Sequence, residues 1–331
     1  IYSLVRRIGG VRAAAASVVV HATMLEPFVL YRMATPDALQ GACVVTALAA
    51  GFCARDAAAD GLRGRAAGLR LLAYVALGVS FVIKGPIALL VYATVWIADF
   101  LPAGRAKVTA ATVRALALRA VACLAVVAAI GLPWFLVVVS RRPDLVDYYL
   151  KNEVAGRYFT DQHNRSQPFW FFIPVALGGL LPWTGLVLSA MIAAVRGRGV
   201  FGELGSRERS GVRFLVAWFV GTLVMFSIGR SKLVTYILPL FPAAAALVGI
   251  AATRLFSSTD SAAEGPTRVG AGARVHGSAG ALVYGSAGVF GLGVAGLMHF
   301  RNAASGAAVT AVALASTTLA IFGILAARRS E

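Results

Sequence analysis

The chain of 331 residues is 59% hydrophobic and 14% charged, and its mean hydropathy is +0.79. A soluble domain carries about a quarter charged residues and cannot bury this much apolar surface, so the composition excludes an ordinary globular protein. The net charge of +17 does not indicate nucleic acid binding, because the basic residues lie in short connections between apolar runs.

Apolar runs that are long enough to cross a bilayer recur along the chain. A membrane helix needs about 20 mostly apolar residues, and about ten runs approach this length. They lie near residues 12–31, 37–54, 67–83, 86–101, 117–139, 168–193, 211–228, 233–254, 280–299 and 305–327. The sequence therefore predicts an all-α, polytopic integral membrane protein of about ten transmembrane helices.

The distribution of Lys and Arg predicts the orientation of these helices. Most of the 31 basic residues lie in alternate connections, which are expected on the cytoplasmic side of a bacterial inner membrane. The exceptions concentrate in two outer connections, the loop 140–167 and the turn 229–232. Positive charge on the outer face against the usual bias indicates an anionic partner there, and lipid phosphate is the obvious candidate.

The predicted helices divide the chain into three parts. Residues 1–256 are expected to form a transmembrane core with the outer loop 140–167. Residues 257–279, rich in Ser, Gly, Ala and Thr, are typical of a flexible cytoplasmic linker, and residues 280–331 are predicted to form a C-terminal helix pair. The sequence opens at Ile1 without methionine or a signal-like segment, so we expect it to begin inside a longer protein.

Two charged residues stand beside predicted helix ends on the outer face. Lys84 lies between two apolar runs and is followed by Gly85-Pro86, which predicts a sharp turn with an ammonium at its tip. Asp37 follows Pro36 at the start of the second span. The simpler alternatives are a lysine that reaches the headgroups and an acid that caps a helix. A pair of Asp37 and Lys84 would be less costly at a membrane surface than either charge alone.

The turn before the eighth predicted span is the sharpest local feature. This turn contains Arg230 and Lys232, and Tyr236 follows it. Lys232 and Tyr236 are four residues apart, which predicts that they share one face of the following helix. Two cations and a phenol at a helix N-terminus could hold a phosphate, helped by free backbone amides. An interfacial belt of aromatic and basic residues is the alternative.

Four segments together resemble the GT-C membrane glycosyltransferases of the aminoarabinose-transferase and protein-mannosyltransferase kind. The first two are the turn from Arg32 to Asp37 and the pair Lys84-Gly85. The others are the block from Asn152-Glu153 through Gly156-Arg157 to Pro182-Trp183, and Ser231-Lys232-Leu233 with Tyr236 and Leu238-Pro239. Their order and spacing are similar to the family pattern from about Ile1 to residue 250.

The resemblance implies a GT-C-like helical bundle that transfers a sugar from a polyprenyl-phosphate donor. The acceptor would be a lipid, glycan or protein of the envelope, on the outer face of the membrane, and transfer would proceed with inversion. In this family an acidic residue of the first outer loop activates the acceptor, and we expect that loop and the family's first helices to precede Ile1. By match, Asp37 would support Lys84, and the phosphate ligands would be Lys84, Arg157, Arg230, Lys232 and Tyr236.

The sequence departs from the family at one position that concerns metal binding. Aminoarabinose transferases have Glu-His where this chain has Glu153-Val154, and His163 has no partner at ligand spacing. We therefore expect no metal site and no cofactor. Two other classes stay open, a polyprenyl-phosphate-binding membrane subunit without catalysis and a membrane transporter.

Overall fold

The computed structural model describes residues 1–33, 35–100, 109–143 and 167–262, and helices make up most of this part of the chain. The α-helices, numbered α1 to α10 in chain order, are Tyr2–Thr23, Leu25–Leu30, Pro36–Ala59, Arg63–Lys84, Ile87–Phe100, Ala110–Arg141, Phe172–Gly179, Thr184–Arg196, Ser206–Ile228 and Phe241–Ala262. Short 3-10 helices cover Gly199–Phe201 and Val234–Leu240. The predicted all-α class is confirmed.

Several of these helices have the length and composition of membrane spans. Five qualify, or up to six if α7 and α8 are counted as one bent span, and the five are Pro36–Ala59, Arg63–Lys84, Ala110–Arg141, Ser206–Ile228 and Val234–Leu255. The chain is therefore a polytopic membrane protein, as predicted. The expected spans at 280–299 and 305–327 lie outside the described residues. Helix α10 ends at Ala262, so the first residues of the predicted linker 257–279 are helical.

The run predicted as a span over 168–193 is sharply bent. Helices α7 and α8 meet there at an angle of 112°. Pro182 lies in the break, where its missing N–H cannot continue a helix. Gly179 allows the bend to pack closely, because a β-carbon there would overlap Glu26 and lie 2.7 Å from Phe241 Cζ. The bend thus brings α7 against α2 and the start of α10.

Helix α10 lies at the centre of the bundle. Four consecutive alanines, Ala243 to Ala246, are fully buried in it. Helix α1 packs along α10 so closely that a β-carbon at Gly249 would lie 2.7 Å from the carbonyl oxygen of Ala13. Small residues allow this close approach. In lipid, the van der Waals packing that results drives helix association in place of the hydrophobic effect.

Helix α6 lies at the edge of the described bundle and packs mainly against α4. Its apolar residues face outward, and Val121 and Leu136 are each 64% exposed. In a soluble protein such a face would be an aggregation hazard. In a bilayer it is the surface that acyl chains cover.

Ion pairs join the helix ends that the sequence predicts to be cytoplasmic, and we call this the Asp99 end. The Asp99 side chain is 2% exposed and accepts from Arg213 Nε at 3.0 Å and from Arg55. The Arg55 guanidinium also lies 4.8 Å from the centre of the Phe52 ring. Arg7 pairs with Asp56 at 2.7 Å in the same region. These contacts fasten α1, α3, α5 and α9 to one another.

The Asp99 cluster leads to a stability prediction. Asp99→Asn leaves two guanidinium groups facing each other without a carboxylate. We expect a loss of about 3 kcal/mol in unfolding free energy, the lower end for a broken buried ion pair, because both arginines are partly exposed. The matched control Asp60→Asn removes an acid that pairs with Arg207 at the surface and should cost less than about 1 kcal/mol. Equal thermal unfolding of both variants in lipid nanodiscs would contradict the prediction.

Candidate functional site

The turn between α4 and α5 places a cation at the opposite end of the bundle, which we call the Lys84 end. Lys84 is the last residue of α4, and Gly85 follows with a φ of 71° that other residues avoid. The Gly85 N–H donates to the carbonyl of Phe81 at 2.8 Å and ends the helix. The carbonyl of Pro86 accepts from Leu89 N at 3.0 Å, which starts α5. The predicted sharp turn is present, with the ammonium at its tip.

Asp37, in the first turn of α3, forms an ion pair with this ammonium. Lys84 Nζ donates to Asp37 Oδ1, and Thr235 Oγ1 donates to Asp37 Oδ2 at 2.8 Å. The Asp37 side chain is 14% exposed. The carboxylate therefore joins α3 to the end of α4 and to the segment before α10.

Tyr236 completes the surroundings of the ammonium. Lys84 Nζ lies 4.5 Å from the centre of the Tyr236 ring, a distance at which a cation is attracted to the ring face. The Phe226 ring lies 5.9 Å from that of Tyr236. Trp218 Nε1 donates to the carbonyl of Pro239 at 2.8 Å and so anchors the 3-10 helix that carries Tyr236. The structure thus brings three predicted residues, Asp37, Lys84 and Tyr236, into one cluster.

Lys232 has a different environment from the predicted one. The segment Val234–Leu240 is a 3-10 helix, and Lys232 lies before it in a non-helical stretch, so the two residues Lys232 and Tyr236 do not share the face of one α-helix as predicted. Pro239 lies inside this helix and lacks the N–H that an α-helix would use. Lys232 Nζ donates to the carbonyl of Gln167 at 3.0 Å and to that of Gly229. Its residue is 4% exposed, and burial lowers the pKa of the ammonium.

Two predicted phosphate ligands remain, Arg230 and Arg157. Arg230 is exposed, and its carbonyl accepts from Gln167 N at 3.2 Å. Arg157 lies outside the described residues, as does most of the loop 140–167. Sequence reasoning missed Thr235 and Gln167. The sequence feature that points to Thr235 is its position next to Tyr236, in a segment that resembles the GT-C family.

The described part of the chain holds no group of three or more His, Cys, Asp or Glu side chains that could bind a metal ion. The expectation of no metal and no cofactor stays a prediction.

The Lys84 cluster has the properties of a prepared anion site. An ammonium carries three N–H donors, and Asp37 accepts from one of them. The carboxylate and the Tyr236 ring fix the position of the cation before any ligand arrives. A charge that is already oriented stabilises an anion without further reorganisation.

Helices of this length and apolar composition define a polytopic membrane protein, and comparison with solved structures shows that it shares the fold of ArnT. The chain is similar to ArnT from Cupriavidus metallidurans bound to undecaprenyl phosphate, with a TM-score of 0.59 and 24% sequence identity. The likeness covers 98% of this chain and 59% of that one. The apo state of the same protein gives a TM-score of 0.57 at 22% identity.

Curated relatives are similar in sequence over part of their length. An undecaprenyl phosphate-alpha-4-amino-4-deoxy-L-arabinose arabinosyl transferase 2 from Proteus mirabilis (strain HI4320) is 34% identical over 184 residues, which are 54% of this chain and 30% of the relative. The corresponding transferase from Aeromonas salmonicida (strain A449) is 34% identical over 194 residues, 59% of this chain and 32% of the relative. No family model matches the chain. The predicted resemblance to aminoarabinose transferases is confirmed.

The hydrogen bond from Thr235 to Asp37 leads to a second stability prediction. Thr235→Val keeps the shape of the side chain but removes the donor to a mostly buried carboxylate. We expect a loss of about 1.5 kcal/mol, the lower end for a hydrogen bond to a charged group. Thr235→Ser keeps the hydroxyl and is the control. The prediction fails if thermal unfolding of Thr235→Val matches that of the wild type.

Proposed function

We propose that the Lys84 end binds the phosphate of a polyprenyl-phosphate sugar donor. On this proposal the chain is part of a glycosyltransferase that moves the sugar to a lipid or another envelope acceptor. The observation that carries the proposal is the Lys84 ammonium, held between Asp37 and the Tyr236 ring at the end of the bundle. The similar ArnT structure was solved with undecaprenyl phosphate bound, which supports the same kind of ligand here.

The reaction needs a cation at the leaving group. An acceptor hydroxyl oxygen forms a bond to the anomeric carbon from the face opposite the phosphate, its proton passes to a base, and the carbon–oxygen bond to the phosphate breaks with inversion. The lipid phosphate departs with an additional negative charge. Lys84 would stabilise that charge as it develops, and Asp37 would keep the ammonium in place. Arg230, exposed at the same end, is a second candidate for the phosphate.

The distribution of charge supports a location at the outer face of a bacterial inner membrane. The connections rich in Lys and Arg meet at the Asp99 end, which is expected on the cytoplasmic side. The Lys84 end would then face the periplasm, where envelope acceptors are found. The donor, the acceptor and this orientation are all parts of the proposal.

A comparison of three variants tests the role of Lys84. In the full-length protein, Lys84→Ala should lower sugar transfer from an undecaprenyl-phosphate-linked donor at least about 100-fold, because one preorganised charge contributes about 3 kcal/mol to catalysis. Lys84→Arg keeps the charge and should retain part of the activity. Arg12→Ala removes the same charge near the opposite end and should leave transfer unchanged. Each variant is first checked for its amount in the membrane.

The outcomes separate the proposed functions. Transfer by Lys84→Ala at the rate of the wild type would overturn the proposal. Binding of undecaprenyl phosphate that depends on Lys84, in a full-length protein that transfers no sugar, would instead establish the binding subunit without catalysis.

A further inference from the structure

Two backbone segments that lie far apart in the sequence are joined through Lys232. Its Nζ donates to the carbonyl of Gln167 at 3.0 Å and to that of Gly229. In the reverse direction, the Gln167 N–H donates to the carbonyl of Arg230 at 3.2 Å. We call this set of three hydrogen bonds the Lys232 staple. It connects the end of the loop 140–167 to the turn after α9.

The burial of Lys232 indicates that this ammonium stabilises the fold. The residue is 4% exposed, and a buried ammonium is costly unless hydrogen bonds replace its hydration. The two carbonyls accept from two of its three N–H donors, and hydrogen bonds from an ionised donor are stronger than neutral ones. One N–H donor remains, but the residue is 4% exposed, so a lipid phosphate has little access to this nitrogen.

The staple lies directly before the residues that surround Lys84. From the turn the chain continues into the 3-10 helix Val234–Leu240, which carries Thr235 and Tyr236. On the other side, Gln167 leads into α7, whose Phe172 ring lies 6.3 Å from that of Phe226. Phe226 in turn contacts Tyr236. Movement of the turn would therefore shift both the hydrogen bond to Asp37 and the ring beside Lys84.

We infer that Lys232 is a positioning residue for the proposed phosphate site and not a ligand of the phosphate. Through the carbonyls of Gln167 and Gly229 it fixes the turn, and the turn fixes Thr235 and Tyr236. The inference rests on the proposed function of the Lys84 end and revises the expectation that Lys232 binds phosphate directly.

Hydrogen exchange in the full-length protein, in nanodiscs without undecaprenyl phosphate, tests the staple with a readout that does not depend on sugar transfer. Lys232→Met keeps the length of the side chain but removes the ammonium. Gln167→Pro removes the N–H that donates to Arg230 and leaves every charge in place. Each variant should speed amide exchange of the peptide 229–236 about tenfold, the effect expected from losing a hydrogen bond of this kind. Gln167→Ala keeps the backbone donor and acceptor, so its exchange should equal that of the wild type.

Binding of undecaprenyl phosphate in nanodiscs then distinguishes a positioning residue from a ligand. If Lys232 positions the turn, Lys232→Met and Gln167→Pro weaken binding by similar factors, and the double variant is little worse than either one. If Lys232 is a ligand, Lys232→Met loses binding while Gln167→Pro keeps it, and the inference is overturned. Exchange of 229–236 that is unchanged in Lys232→Met also overturns it.

The variant Lys84→Ala separates this inference from the function on which it rests. Binding that is unaffected by Lys84→Ala removes the proposed phosphate site, whereas the exchange experiment still decides whether the staple orders the turn. Faster exchange in Lys232→Met together with lost binding in Lys84→Ala supports both.

Discussion

A charge inside a bilayer has no water to hydrate it, and this constraint orders the whole structure. Charged residues that must cross or border the membrane are therefore expected at helix ends, in pairs. Helix α3 shows this clearly, because Asp37 lies in its first turn and Arg55 and Asp56 lie near its last. Between these positions the helix presents apolar residues and small residues to its neighbours. Each end of the bundle is thus a cluster of compensated charges.

The two clusters differ in what they leave accessible. At the Asp99 end, the Asp99 carboxylate is almost fully buried between the guanidinium groups of Arg55 and Arg213, so both cations already have an acid as partner. At the Lys84 end, one carboxylate holds one ammonium, and Arg230 adds an exposed positive charge nearby. Both ends are made of the same residue types. The anion site is proposed at the end where Asp37 accepts from one of the three N–H donors of the Lys84 ammonium.

The sequence predicts those parts of the structure that depend on local chemistry. Lys84-Gly85-Pro86 allows only a tight turn, and Asp37 after Pro36 begins a helix, so both positions and their pairing could be inferred. The 3-10 helix could not, since the spacing of Lys232 and Tyr236 suits an α-helix and the effect of Pro239 depends on packing against Trp218. The environment of Lys232 depends on the carbonyl of Gln167, 65 residues earlier in the chain, and no pattern in the sequence reports such a contact. Pro182 in the sequence indicates a kink between α7 and α8, but the angle of 112° depends on packing and could not be inferred.

The pairing of Asp37 with Lys84 has a consequence for the biogenesis of the protein. Helices α3 and α4 form a hairpin with close mutual contacts, closed at one end by the tight turn at Gly61 and at the other by this ion pair. Moving either charge alone across the membrane core during synthesis would oppose insertion. As a pair, Asp37 and Lys84 carry no net charge, so moving that end of the hairpin across the core would cost less than moving either charge alone.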